Sequence, residues 1–261
     1  VNATISGSIT AKECIKEARA RGNDSVIIAS SADSHFSLLM LALEQKLPVF
    51  CEKPMVLSVA EAFDVESAWL RADRPPFLCD FVHLWAKGFE YAWPRYKARG
   101  NMLYVEGKAH RMPRFLAFCS GPTRRKDVHP VWDYGCHVIA MALMLGIDLR
   151  NLQCRQLGGD KWTLENENAT ITVDANAGVE KKTEVRLYGL FTYVDGTWDF
   201  SIPELTFHND DDLPLQRALS WFLNSAHGAW QSASLVRDGV MLPKLVTEVL
   251  ESCCPSDSPF V

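Results

Sequence analysis

Two short runs, apolar on both faces, set the strongest limit on how this chain folds, Val26-Ile27-Ile28-Ala29 and Pro48-Val49-Phe50-Cys51, and Phe77 to Phe81 is a third strand candidate. A strand without a polar face is stable only where helices cover it from either side, as in the parallel sheet of an α/β domain. The flanking segments supply such helices. Thr10 to Arg21 reads as a helix with Thr10 as N-cap and Glu13 three residues on, stopped by Gly22-Asn23-Asp24. Ser34 to Lys46 reads as a second. Ser58-Val59-Ala60-Glu61 is a capping box for a third, running to about Arg71 before Pro75-Pro76. Helices and strands alternating over short connections are the rhythm of βαβ units.

Past residue 100 the pattern changes. Leu103 to His110 and Phe115 to Cys119 read as strands, and Trp132 to Leu145 as a long helix. Ala169 to Ala175, Thr183 to Phe191 and Thr192 to Phe200 are rich in β-branched and aromatic residues and lie close together, as in an antiparallel meander, with Asp195-Gly196 as a turn. Helices near Leu213–Ala226 and Ala233–Glu251 follow. The expected fold class is therefore α/β plus α+β. Residues 1–85 carry an incomplete Rossmann-like parallel sheet. Residues 86–251 carry a largely antiparallel sheet with flanking helices, the terminal ones free to pack back on the first domain, and 252–261 form a loose tail. A cleft between two such lobes is the usual place for a small-molecule site.

Composition narrows the function. The 261 residues are 48% apolar, enough for a substantial core, and the net charge of -5 gives no basic surface for a nucleic-acid backbone. The longest apolar run, Val138 to Ile147, is too short to cross a bilayer, and no secretory leader pattern opens the chain. Eight cysteines without a Cys-x-x-Cys pair read as scattered reduced thiols of a cytoplasmic protein.

Three polar residues stand where chemistry is expected. Lys53 follows the second buried strand, at the carboxyl end where α/β sheets place their ligands, and partial desolvation there is able to lower its pKa for acid–base work. Asp133 and His137 are four apart and share one helical face. His137 is suited to take the proton of an alcohol as hydride leaves, and Asp133 to orient an imidazole or ammonium group or to bind a hydroxyl. Oxidation of an alcohol needs a hydride acceptor that no side chain supplies, so a nicotinamide, NAD or NADP, is implied. Taken alone, Glu52-Lys53-Pro54 is more often a polar turn, and Asp133/His137 a capping and helix-surface pair. An i,i+4 Asp/His pair also suits a metal, but no third ligand motif accompanies it, so no metal is expected. The segment Gly121 to Pro130 places Arg124, Arg125 and His129 ahead of the Asp133 helix. It is equally a solvated basic loop or a set of substrate contacts. His83 and Trp85, after the third strand, are further pocket candidates.

Two ordered stretches carry a resemblance. The first is Val26 to His35, a strand and small-residue turn ending in His, followed after a helix by Pro48-Val49-Phe50-Cys51-Glu52-Lys53-Pro54. The second is Trp132-Asp133-Tyr134-Gly135-Cys136-His137, opening a helix that ends at Leu145-Gly146. Together they resemble the glucose–fructose oxidoreductase/inositol dehydrogenase/MocA (Gfo/Idh/MocA) family over nearly the whole chain. The resemblance implies an NAD(P)-dependent oxidoreductase acting on a sugar or polyol. It makes Lys53, Asp133 and His137 the catalytic set and puts Ser30, His35 and Glu52, with Lys53, near the nicotinamide and its ribose. It also implies self-association through the open face of the second-domain sheet, around Trp198, Phe191 and Tyr193.

The departures are equally definite. No Gly-x-Gly-x-x-Gly occurs in the chain, and the only paired glycines, Gly158-Gly159, fall in the second half. By the family's order the pyrophosphate turn belongs upstream of Val1, and the chain enters near the helix before the fourth strand of the dinucleotide fold. A doubly wound sheet without its first strands implies a fragment, a pairing partner or a rebuilt sheet. Ser31 stands where the family commonly has proline, and Asp80-Phe81-Val82-His83 replaces its usual Asn-x-Arg, which leaves the substrate open. The alternative function is a cofactor-free carbohydrate-binding or assembly protein, or an inactive fragment of the enzyme.

Overall fold

The computed structural model describes residues 10–20, 25–86, 89, 96–99, 102–105, 108–111, 114–122, 128–176, 178–187, 192–194, 197–199, 213–226 and 239–254. Helix α1 (Ala11–Ala20) opens on a capping box. Thr10 N–H and Oγ1 both donate to Glu13 Oε2, at 2.9 and 2.7 Å, and Glu13 N–H donates back to Thr10 Oγ1. Strand β1 (Val26–Ile28), helix α2 (Ala32–Glu44), strand β2 (Val49–Cys51), helix α3 (Val59–Arg71) and strand β3 (Phe77–Cys79) follow. The strands form a parallel sheet in the order β1-β2-β3, with Ile28, Cys51 and Cys79 in register at the carboxyl end.

The expected burial on both faces holds throughout β2, and β3 shares it. It fails at β1, where Ile27 is 53% exposed, because β1 borders the sheet and pairs only with β2 among the described strands. Helix α2 starts two residues earlier than its sequence suggests. Ser31 in extended conformation is the N-cap, and its carbonyl already receives the Ser34 N–H and hydroxyl. The Ser58 cap forms, with Ser58 Oγ accepting from Glu61 N–H, but Glu61 Oε2 accepts from Leu57 N–H, one residue ahead of the cap, and not from Ser58 itself.

Next comes a small antiparallel sheet of β4 (Tyr96–Arg99), β5 (Met102–Val105) and β6 (Lys108–Arg111). The run Leu103 to His110 is therefore not one strand but two arms of a hairpin, with Leu103 opposite His110. A seven-stranded sheet contains β7 (Phe115–Ser120), β8 (Gln153–Gly158), β9 (Lys161–Glu165), β10 (Ala169–Asp174), β11 (Lys182–Leu187), β12 (Thr192–Val194) and β13 (Thr197–Asp199), in the order β13-β12-β11-β7-β10-β9-β8. Its pairs are antiparallel except at the centre, where β7 and β10 run parallel. The hairpin β8–β9, absent from the sequence expectation, turns on Gly158 and Gly159 at φ +139° and +53°. A Cβ on Gly159 would lie 2.4 Å from Asn176 Oδ1, so this glycine pair serves a hairpin.

Between β7 and β8 the chain makes a π-helical turn, Val131–Gly135, continuing into helix α4 (Cys136–Met144). α4 is almost wholly buried, which accounts for the absence of a polar stripe in its sequence. Helix α5 is Pro214–Asn224 and helix α6 is Met241–Cys253. α6 begins eight residues later than Ala233 because Gly239 sits at φ +104°, which no helix accommodates. It extends past the expected end to Cys253, and Cys254 is 5% exposed, so the first residues of the expected tail are packed.

The last helices close the molecule. α6 lies against α3 and α4, with Lys244 Nζ 2.7 Å from Glu66 Oε2 and Val59 N–H donating to Glu251 Oε1. α5 lies against the 3₁₀ turn Val82–Trp85, joined by ring contacts Trp85–Trp221 and Phe50–Phe222 at 5.3 and 5.7 Å. One continuous buried cluster thus runs from Leu39 and Phe50 through Phe77 to Val138 and Ile171.

Candidate active site

The carboxyl end of β2 presents Glu52-Lys53-Pro54, and the Lys53–Pro54 peptide bond is cis. Behind it lies His35, one turn into α2 and fully buried. Its Nδ1 is 2.7 Å from the Pro54 carbonyl oxygen and its Nε2 is 3.2 Å from that of Ser30. His35 thus ties the turn after β1 to the turn after β2. Ser30 is exposed, with Oγ 2.6 Å from Ser34 Oγ. Glu52 is half-buried, and its Oε2 accepts the Lys53 N–H at 3.3 Å.

Lys53 joins the end of β2 to the π turn. Its Nζ donates to both Oδ1 and the backbone carbonyl of Asp133, each at 2.6 Å. The side chains are only 16% and 9% exposed. Asp133 is held in place by the π turn, since the His129 carbonyl accepts the N–H groups of both Trp132 and Asp133. One turn further on, His137 packs edge-on against His83 at 5.0 Å and Phe81 at 6.4 Å between ring centroids. The elements bring Lys53, Asp133, His137 and His83 together across 80 residues of sequence, so Glu52-Lys53-Pro54 is no surface turn and Asp133/His137 no surface pair.

Protonation follows from burial and charge. Burial pulls the Lys53 ammonium down, but Cys136, Asp133 and Glu52 together outweigh it and hold its pKa above the ordinary lysine value. This reverses the direction expected from desolvation alone. Burial, then the Lys181 and Lys53 charges, pushes His83 down to about 3. His137 also lies well below the usual imidazole value, chiefly by burial and then by Lys53, His83 and Lys181. Both rings are neutral at physiological pH, and His137 Nδ1 is buried without a hydrogen-bond partner among the described residues.

One further group was not singled out for the site from sequence. Asp80, at the end of β3, is 5% exposed and its Oδ1 has no hydrogen-bond partner among the described residues. Burial, reinforced by Glu52 and opposed by Lys53, raises its pKa to about 7. The available signal was a carboxylate ending an otherwise apolar strand, at the same sheet edge as Glu52. Of the remaining candidates, His129 packs into a different cluster, with its ring 4.5 Å from that of Trp162 and its Nδ1 3.4 Å from Cys254 Sγ. Its burial excludes the solvated-loop alternative for this residue. Arg124 and Arg125 lie outside the described residues. Among the described residues no three His, Cys, Asp or Glu side chains are grouped so as to hold a metal ion, and no helix is long and apolar enough to cross a membrane.

An ammonium, two neutral imidazoles and a carboxyl titrating near neutrality, with Phe81 against His137, make a site equipped for proton transfer to and from a small polar ligand. Residues 11–74 match the model of an oxidoreductase family, Gfo/Idh/MocA, described as its NAD-binding Rossmann fold. No curated protein matches the chain. Among solved structures, an oxidoreductase from Magnetospirillum magnetotacticum has 18% identity and a TM-score of 0.72, over 94% of this chain and 83% of that one. The UDP-N-acetylglucosamine 3-dehydrogenase of Acidithiobacillus ferrooxidans has 15% identity and a TM-score of 0.70, over 97% and 83%. The scyllo-inositol dehydrogenase of Lactobacillus casei, solved with NAD(H) and scyllo-inositol, has 15% identity and a TM-score of 0.64, over 94% and 80%. Residues 11–74 are thus similar to the Rossmann fold of the Gfo/Idh/MocA oxidoreductases, and the fold of the solved enzymes runs through nearly all of the chain.

Proposed function

We propose that this chain is an NAD(P)-dependent oxidoreductase acting on the alcohol of a sugar, polyol or related small molecule. The observation that carries this reading is the buried Lys53–Asp133 bridge from the end of β2 to the π turn, flanked by two buried polar atoms, Asp80 Oδ1 and His137 Nδ1, that have no protein partner among the described residues. Such atoms are costly unless something satisfies them, and the hydroxyls of a polyol or the polar end of a nicotinamide fit that need.

Ser30, Glu52 and Lys53, at the carboxyl ends of β1 and β2, would hold the nicotinamide end of the cofactor, with His35 positioning Ser30 and Pro54 from behind. The nicotinamide, when bound, supplies the hydride acceptor. Lys53 has three N–H donors, of which Asp133 takes two, leaving one for the reacting oxygen of the substrate. As an ammonium it stabilises a developing alkoxide by hydrogen bonding, and in the reverse direction the protonated form of His137 returns the proton to the carbonyl oxygen. Neutral His137 accepts the alcohol proton at Nδ1, the buried ring nitrogen left without a protein partner among the described residues, and His83 packs beside it. Arg124 and Arg125 remain candidates for contacts to the substrate.

The test is turnover of a panel of hexoses and inositols followed by nicotinamide absorbance. Lys53→Met is expected to lower kcat by about 10²–10⁴-fold. Turnover near wild type would remove Lys53 from the chemistry. Saturable binding of a polyol without any response to NADH or NADPH in tryptophan fluorescence would instead support the cofactor-free alternative. Homo-oligomerisation across the open face of the large sheet belongs to the same proposal. Leu116, 41% exposed, and half-buried Phe118 on the central strand β7 support it.

A further inference from the structure

The carboxyl edge of the parallel sheet holds a buried acceptor that the fold leaves open. Glu52 N–H donates to the Ile28 carbonyl and Asp80 N–H to the Cys51 carbonyl, each at 2.8 Å, so the backbone fixes where both residues leave the sheet. With the strand order β1-β2-β3, Asp80 stands on the far side of this edge from the β1 turn that carries Ser30. Directly after Asp80 the chain enters its 3₁₀ turn, and Phe81 and His83 pack against the His137 ring. Asp80 therefore belongs with the residues assigned to the substrate and not with those assigned to the nicotinamide. It is 5% exposed, and its Oδ1 meets no donor among the described residues. Glu52 differs, being half-buried with its carboxylate on the Lys53 N–H.

We propose that Asp80 is a specificity-determining residue, whose carboxylate accepts a hydrogen bond from a second hydroxyl or amine of the substrate, distinct from the oxygen held by Lys53 and His137. The assignment rests on the Lys53 site being an alcohol-oxidising centre. An ionised carboxyl only accepts, so its partner is a donor, and a buried acceptor left open costs affinity whenever a ligand fails to fill it. A site built to bond a hydroxyl rejects the analogue lacking it far more strongly than an apolar pocket rejects a missing methylene. The substrate class is therefore a diol, polyol or amino alcohol, and not a simple monohydric alcohol.

The charge state of Asp80 makes this contact pH-dependent. Burial, then Glu52, raises its pKa and Lys53 opposes them, leaving it at about 7. The other groups nearby hold their states around that pH. Lys53, paired with Asp133, keeps its ammonium, and Cys79 remains a thiol. His83 and His137, on which the Lys181 charge also acts, are neutral. The ionised carboxyl is the stronger acceptor, so affinity for the substrate rises as pH passes through 7.

The experiment measures binding of hexoses, inositols and their monodeoxy analogues to the full chain by calorimetry at pH 6 and pH 8, with and without NADH. For a polyol that binds, affinity is expected to rise about five- to tenfold between the two, and Asp80→Asn to remove that rise. One monodeoxy analogue should bind about 10–100-fold more weakly than its parent, a penalty that Asp80→Leu abolishes. The wild-type pH series decides the matter even if a variant fails to fold. Polyol binding that is flat or falls with pH overturns the role of Asp80 and leaves the Lys53 site standing. So does a pH rise that appears in NADH binding instead, followed by nicotinamide fluorescence, since the donor is then the carboxamide. Absence of polyol binding at both pH values overturns the reading of the site itself, and this assignment with it.

Discussion

Lys53 links the end of β2 to the π turn, and its charge state depends on Asp133. A buried ammonium is tolerated only beside an anion, and removing that anion leaves burial as the dominant influence on the lysine. Asp133→Asn is therefore expected to move the ionisation of Lys53 to lower pH, which a shift in the pH–rate profile would report. It should also cost about 3 kcal/mol of stability, as breaking a buried pair typically does. Asp80 has the opposite problem, since its pKa is raised from the usual carboxyl value to about 7. The native state then holds a proton that the unfolded state has released, so stability falls as pH rises across that interval. Asp80→Asn should abolish this fall and stabilise the protein at pH 8 by roughly 1–3 kcal/mol, read from urea midpoints. His83 works in reverse. With its pKa down at about 3, the unfolded state binds the extra proton, and stability declines as pH drops below the usual imidazole value near 6.5. Replacing His83 with Gln should flatten that acid limb.

At the scale of elements, α3 and α6 decide how the parallel sheet is covered. Gly239 precedes α6 at φ +104°, its N–H donates to the Phe77 carbonyl, and a Cβ there would stand 3.3 Å from Trp69 Cζ2. Gly239→Ala combines a disfavoured backbone with a crowded indole. We expect a loss of about 1–3 kcal/mol in chemical denaturation, larger than the roughly 1 kcal/mol from deleting the Ser58 cap. The elements themselves were legible where local chemistry fixes them. Thr10/Glu13 and Ser58/Glu61 announced α1 and α3; the first box closes as read, and in the second Ser58 caps Glu61 while the Glu61 carboxylate takes the N–H of Leu57. The hairpin β8–β9 was not legible, because exposed Arg155, Gln156 and Leu157 give β8 no alternation, and its strand character comes from pairing with β9.

For the molecule as a whole, the large sheet turns one face to α4 and leaves Leu116 and Phe118 on the other, beside the charged residues Glu184 and Arg186. If copies associate there as proposed, light scattering should give a mass at or above twice 29.3 kDa, and Leu116→Asp should return the chain to monomer. A monomer at high concentration in the unaltered protein would dismiss that interface. What the sequence determined by itself was the parallel first sheet, the N-terminal caps of α1 and α3, and the residue types Lys53, Asp133 and His137 in their order. Those features follow from side-chain period and from backbone groups satisfied within a few residues. Tertiary structure decided the rest. It turned His35 inward to hold two backbone carbonyls and drew His129 away into the Cys254 cluster. It also made Asp80 part of the site and kept Lys53 charged despite burial. A side chain's direction and pKa depend on groups that arrive from distant segments, as when Asp133 comes within 2.6 Å of Lys53 from 80 residues away, and no local pattern encodes that meeting.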